Sequence, residues 1–351
     1  MKKNTHSKNK KITGFLKERN EINLEINGLT HEELEQLSDI DGYGKWQKIE
    51  RYYPETRYVP DTGSKLKTGV IALPPRKQKP VSPLRRLYLI IDEDGKKLLM
   101  KTDDISLFNR EGEIADFANR AFTEQGVYVS YPLEVGPYAD ETRVYSMYNF
   151  LTGDNLARTL PTLYVPQQHE LGIEAGKLLK KFHALATLGN EVRRKPVDDI
   201  FLLLTKLEEK ETQYQGFREA SSFMKKHFDI TSGRPLNALH GDFSANTLFI
   251  DKGLNVGMFP LEDPHWGDPI KDLISLQESY SMPFIKGVFK GIFDGAPPAD
   301  FFELLTYYST ERALSDINMA DNDEDKATAI LRAQKLAAEL DNYQTVIPSW
   351  Y

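Results

Sequence analysis

The sequence predicts an α+β protein of two lobes, a small β-rich one followed by a larger, mainly helical one. Three observations carry this expectation. Residues 46–151 hold short runs of strand-like composition broken by turn-forming Asp, Gly and Pro. Residues 152–351 hold apolar side chains that recur at helical spacing. With 351 residues, the chain is long enough to bury a large core and to divide into two parts.

Taken in order, residues 1–45 read as a basic tail and a short helix. Lys2, Lys3, Lys8, Lys10, Lys11, Lys17 and Arg19 have few apolar anchors between them, which suits a loosely docked tail or a contact with an acidic partner. Thr30 followed by Glu33 is a capping-box pattern ahead of Leu34 and Leu37. In the first lobe, residues 51–59 and 67–73 have strand composition, and a proline-rich basic loop spans 74–80. Residues 87–91 and 97–101 then form a hairpin around Asp92, Glu93, Asp94 and Gly95. A helix is expected over 110–125, with Ile114, Phe117, Ala118 and Ala121 on one face. Two further strands, 127–135 and 143–150, are separated by Gly136 and Pro137.

The second lobe begins after Leu151, where Gly153 breaks the strand pattern. Residues 167–183 align Leu171, Ala175, Leu178, Leu179 and Phe182, while Gly172 and Gly176 allow another helix to come close. Amphipathic helices follow at 199–211 and 217–227, and further helices run to Asn342.

Composition narrows the function. A 40% apolar and 28% charged content is ordinary for a soluble protein, and a net charge of −7 gives no reason to expect nucleic-acid binding. With no cysteine, thiolate metal sites and thiol nucleophiles are excluded. No apolar run approaches a membrane span, and the basic start lacks the apolar segment of a secretory signal. A cytoplasmic protein is expected.

The richest stretch is 236–273. It opens on Leu239, His240, Gly241 and Asp242, continues through an apolar run at 247–250, a turn at Asp251, Lys252 and Gly253 and a second run at 256–261, and closes on Gly267, Asp268, Pro269, Asp272 and Leu273. This string resembles the catalytic core of the aminoglycoside phosphotransferase and choline kinase family, relatives of the protein kinases. The Gly153-Asp154 turn, Leu160-Pro161-Thr162-Leu163 and the helix ending Ala175-Gly176 to His183 resemble a Gram-positive branch of that family.

The resemblance implies a protein-kinase-like fold and phosphoryl transfer from ATP or GTP, with magnesium, to a hydroxyl of a small molecule. Such transfer relies on positioning and charge neutralisation, so a base and hard-oxygen ligands must converge. By analogy Asp242 is the catalytic residue and Lys101 the phosphate clamp. The clamp's carboxylate partner is Glu113 as first choice and Glu111 as second, and backbone groups around Met147 and Asn149 meet the nucleobase. Thr247 stands where the family carries a metal asparagine and Pro260 where it carries a metal aspartate. The candidate replacements are Asn246, Glu262 and Asp263, although two or three residues along a strand displace a side chain by about 7–10 Å. A glycine-rich phosphate loop is missing; Asp61, Thr62, Gly63 and Ser64 offer an ordinary turn. His240 and His183 read as structural, Asp268 and Asp272 as helix caps that brace the catalytic turn, and His265 and Trp266 as neighbours of a passing acceptor, with Trp266 equally suited to packing in the core. The departures leave a second reading open, a phosphotransferase-like scaffold that binds a ligand or a protein partner without chemistry.

Overall fold

The hairpin around Asp92–Gly95 sits at the centre of the first unit of a computed structural model, which describes residues 25–53, 83–122, 129–185, 198–210, 214–258, 265–349 and 351. Asp92 closes the turn, its Oδ1 accepting from the backbone N–H groups of Asp94 and Lys96 at 3.1 and 2.8 Å. Strands β1 (Glu25–Asn27), β2 (Trp46–Arg51), β3 (Arg86–Asp92), β4 (Lys97–Asp104), β5 (Pro132–Tyr138) and β6 (Arg143–Asn149) form one sheet in the order β1-β2-β3-β4-β6-β5. Only β1 with β2 is a parallel pairing. This unit takes in residues 25–53, 83–120 and 131–150.

Helix α1 (His31–Leu37) starts as its sequence predicts. Thr30 Oγ1 accepts from the Glu33 N–H at 3.3 Å, and Glu33 Oε2 accepts from the Thr30 N–H at 2.8 Å. It is part of the lobe itself: Leu37, Ile40 and Tyr43 bury against Trp46, Ile49, Tyr88, Ile90, Met100, Tyr145 and Met147 on one sheet face. Side chains alternate along a strand, so Lys101, Ser146 and Tyr148 point to the other face.

Two strands differ from expectation. Strand β2 lies ahead of the strand expected at 51–59 and shares only Arg51 with it; Tyr52 and Tyr53 are outside any strand, and residues 54–60 lie outside the described residues. A register shift between Trp46 and Lys48 puts Trp46 and Ile49 on the same buried side, a three-residue spacing that hides a strand from a search for alternation. Gly136 and Pro137, expected to separate two strands, lie inside β5. Because β5 is the sheet's edge, a residue without an N–H costs no ladder bond there. The expected strand at 67–73, the loop at 74–80 and the turn at 61–64 lie outside the described residues. The helix expected at 110–125 is α2 (Phe108–Phe122).

The second unit takes in residues 121–122, 129–130 and the described residues from 151 onward. Its elements are β7 (Asp154–Asn155), α3 (Leu156–Thr159), α4 (Val165–Leu185), α5 (Asp198–Glu209), α6 (Phe217–Lys226), β8 (Asn237–Leu239), β9 (Leu248–Ile250), β10 (Val256–Met258), β11 (His265–Gly267), α7 (Met282–Phe293), α8 (Phe301–Asn318) and α9 (Asp323–Glu339). Small sheets of β10-β9-β7 and β11-β8 sit among the helices, and a 3-10 run spans Pro269–Ser279. Helices α4 and α7 pack along each other through paired glycines. A Cβ added at Gly172 or Gly176 would collide with the carbonyl oxygen of Phe284 or Val288, and one at Gly287 or Gly291 with that of His169 or Ile173. No helix among the described residues is long and apolar enough to cross a membrane.

Candidate functional site

Lys101 sits in mid-strand, directly across from Ser146 in the β4–β6 register, with Tyr148 two residues further along on the same face. Helix α2 brings Glu111 over this face. Lys101 Nζ donates to Glu111 Oε1 at 2.8 Å, Ser146 Oγ to Oε2 at 2.8 Å, and the Tyr148 hydroxyl makes a longer contact to Oε2 at 3.4 Å. Lys101 is 6% exposed and Glu111 3%. The ammonium also lies 5.5 Å from the centre of the Tyr148 ring. Burial alone would lower the Lys101 pKa, but Tyr148 and the Glu111 carboxylate outweigh it, so the lysine lies above its ordinary value. Burial, by contrast, raises the pKa of the Tyr148 phenol.

The partner of Lys101 is therefore Glu111 and not Glu113, the first choice from sequence. Two residues along a helix turn a side chain by about 200°, so with Glu111 facing the sheet Glu113 faces outward and is exposed. Met147 lies in β6 between β4 and β5, with its side chain in the core under α1. Asn149 ends β6, where its Oδ1 accepts from the Tyr131 N–H at 2.7 Å and its own N–H donates to the Tyr131 carbonyl at 3.4 Å.

In the second unit, β8 delivers the chain into the turn His240-Gly241-Asp242. Gly241 has φ +87°, a left-handed conformation that explains glycine between the two functional residue types. The turn is held from below by Asp272, which is 1% exposed. Its two oxygens accept from the N–H groups of His240 at 2.9 Å and Gly241 at 2.7 Å. His183 Nε2 lies 2.8 Å from Asp272 Oδ2 and, facing an acceptor-only carboxylate, carries the proton. Burial would raise the Asp272 pKa, but the His183 bond and charge, with His240, reverse it, so the carboxyl lies below its usual range. Both His183 and His240 thus serve the turn's architecture.

Asp268 is the cap expected of it, and its other bonds go to Arg234 and Tyr308. Its Oδ1 caps the Pro269–Ser279 run by accepting from the Ile270 N–H at 3.0 Å, and Oδ2 takes Arg234 Nε at 2.6 Å and the Tyr308 hydroxyl at 3.2 Å. The far shoulder of the His240-Gly241-Asp242 turn is fastened by Thr247. Its hydroxyl lies 2.6 Å from the Asp242 carbonyl and 3.0 Å from that of Ser244, and it accepts from the Ser244 N–H at 3.2 Å. Asp242 itself is half-buried.

Magnesium needs several hard oxygens at one point. Thr247 spends its hydroxyl within the turn, and Asn246 is buried with its Nδ2 at 3.5 Å from the Glu278 carbonyl. Pro260, Glu262 and Asp263 lie outside the described residues. Among the described residues there is no group of three or more His, Asp or Glu that could hold a metal ion.

Sequence reasoning missed Ser146 and Tyr148, whose only signal is their register against Lys101. Asp272, expected as a cap that braces the turn, braces it through two backbone bonds that emerge only from the fold, while the cap is Asp268.

No curated protein matches the sequence. Among solved structures, the GDP complex of wild-type aminoglycoside 2'-phosphotransferase-IIIa has a TM-score of 0.55 at 12% identity, over 76% of this chain and 93% of that one. The streptomycin–ATP–APH(2")-IIa ternary complex gives 0.53 at 12% identity, over 75% and 91%. A thermostable mutant of aminoglycoside phosphotransferase APH(4)-Ia gives 0.52 at 12% identity, over 76% and 95%. At this identity the likenesses carry the fold alone, the protein-kinase-like fold of the aminoglycoside phosphotransferases; the likeness to a Gram-positive branch rests on the quoted residues only. A model of the phosphotransferase enzyme family matches residues 84–302, the greater part of the sequence, and the chain belongs to that family.

Proposed function

We propose that the protein transfers the terminal phosphoryl group of ATP or GTP to a hydroxyl group of a small molecule. The observation that supports this most is the buried Lys101–Glu111 pair, 2.8 Å apart and held by two further hydroxyl groups. A buried ion pair stabilises a fold little, because desolvation offsets the attraction. A charged lysine kept in such a pair suits an anionic phosphate. In solved relatives the nucleotide is GDP in one and ATP in another, beside streptomycin in the latter.

In this reading Asp242 accepts the proton of the acceptor hydroxyl while the acceptor oxygen bonds to the terminal phosphorus. The bond from that phosphorus to the bridging oxygen breaks, and Lys101 balances charge on the phosphates. Asp272 keeps Asp242 in place by fixing the two backbone N–H groups before it. Magnesium, when bound, would offset phosphate charge, and Asn246 with Glu262 or Asp263 would hold it.

A second reading is a ligand-binding or protein-binding scaffold without chemistry. It is favoured by Thr247, whose hydroxyl is spent inside the turn where the resemblance expects a metal-holding amide. Incubating the protein with terminally labelled ATP or GTP, magnesium and a panel of amino sugars and amino alcohols separates the two. Label on an acceptor, lost with Asp242→Asn, supports transfer; label transfer unchanged by Asp242→Asn would contradict the role of Asp242.

A further inference from the structure

We propose that Ser146, assisted by Tyr148, is a positioning residue that sets where Lys101 presents its charge to a nucleotide's phosphates. The inference rests on the nucleotide site proposed above and extends it to two residues of β6.

The geometry divides the Glu111 carboxylate between two tasks. Oε1 receives Lys101 Nζ, and Oε2 receives Ser146 Oγ at the same 2.8 Å, with the Tyr148 hydroxyl at 3.4 Å. A carboxylate in which one oxygen is free can rotate and draw an ammonium onto both oxygens. With Oε2 occupied by a hydroxyl donor, the carboxylate plane is fixed and only one oxygen faces the lysine. Ser146 is itself 1% exposed and stands directly across the ladder from Lys101, so its donor is placed by strand pairing. Tyr148 lies on the same face, and its ring forms the wall beside the ammonium. Ser146 acts through Glu111, Tyr148 through Glu111 and through its own contact with the ammonium, and neither needs to touch the nucleotide.

The stability of the fold gives a weaker reason for this arrangement. Ser146 and Tyr148 could be replaced by apolar residues on a face that already packs under a helix, and Glu111 and Lys101 with them. What the hydroxyl donors add is a single orientation for the pair. A phosphate arriving beside Lys101 then meets a cation whose place is set before binding, which removes part of the ordering cost of association.

The test is calorimetric titration of the full chain with ATP, with GTP, and with the matching nucleosides, which lack phosphates. Ser146→Ala removes one hydrogen bond to a charged group, which predicts about a tenfold rise in Kd for the triphosphate. The nucleoside's Kd stays unchanged, since Lys101 acts on phosphates alone. Ser146→Thr keeps a hydroxyl at the same place on a strand and restores triphosphate affinity. Tyr148→Phe keeps the ring, loses the hydroxyl's contacts and raises the triphosphate Kd about threefold. It also serves as the second probe should Ser146→Ala unfold. Triphosphate affinity unchanged in both hydroxyl-removing variants, or an equal loss for triphosphate and nucleoside, would overturn the positioning role while leaving the nucleotide site standing. If the native chain binds neither triphosphate, the proposed function fails and this role fails with it.

Discussion

Lys101 and Glu111 meet at 2.8 Å although they belong to a strand and to the helix that follows it, and both are almost wholly buried. Which acid faces the lysine is decided by helix phase. Replacing Glu111 with Gln leaves a buried cation without its counter-charge, at a cost of about 3–5 kcal/mol. Glu113→Gln, on the exposed side, changes stability by less than about 0.5 kcal/mol. Denaturant unfolding of the two variants checks this; equal effects would mean the helix phase is wrong.

How much of this was legible in the sequence can be followed residue by residue. The 92–95 turn, the Thr30 capping box and the His240-Gly241-Asp242 turn are local patterns with local causes, and they stand where expected. Strand β2 was missed because a bulge breaks its alternation, and the extent of β5 because an edge strand tolerates Pro137. Ser146 and Tyr148 were invisible for another reason. Their role depends on strand register across an intervening helix, which no local pattern encodes. Asp272 was legible as a brace of the turn, but not its means, two bonds from backbone N–H groups thirty or so residues before it.

Asp272 yields a pH prediction. Its folded pKa is held below the ordinary carboxylate value by His183 and His240, against the effect of burial. A depressed carboxylate contributes stability that is complete above the unfolded pKa and is lost as pH falls through the folded one. The stability gap between the native chain and Asp272→Asn is therefore widest at neutral pH and narrows below about pH 4. Urea unfolding of both proteins from pH 7 to pH 3 measures it; a gap of constant size would contradict an ionised Asp272.

The α4–α7 contact sets a third expectation. Gly176 faces the Val288 carbonyl and Gly291 the Ile173 carbonyl with no room for a Cβ. Gly176→Ala forces the two helices apart and costs about 1–3 kcal/mol. The midpoint of urea unfolding falls accordingly with its slope unchanged. Gly295→Ala is the control, because a Cβ there meets nothing within 4 Å.

Nucleotide recognition is tested most directly by thermal unfolding of the full chain with ATP and with GTP, each with and without magnesium. A ligand at a hundred times its dissociation constant that binds only the folded state stabilises it by about 2.7 kcal/mol. The arrangement around Lys101 predicts a clear rise in the unfolding temperature with ATP or GTP in the presence of magnesium, abolished by Lys101→Ala. A flat response to both nucleotides, with and without the metal, would contradict it.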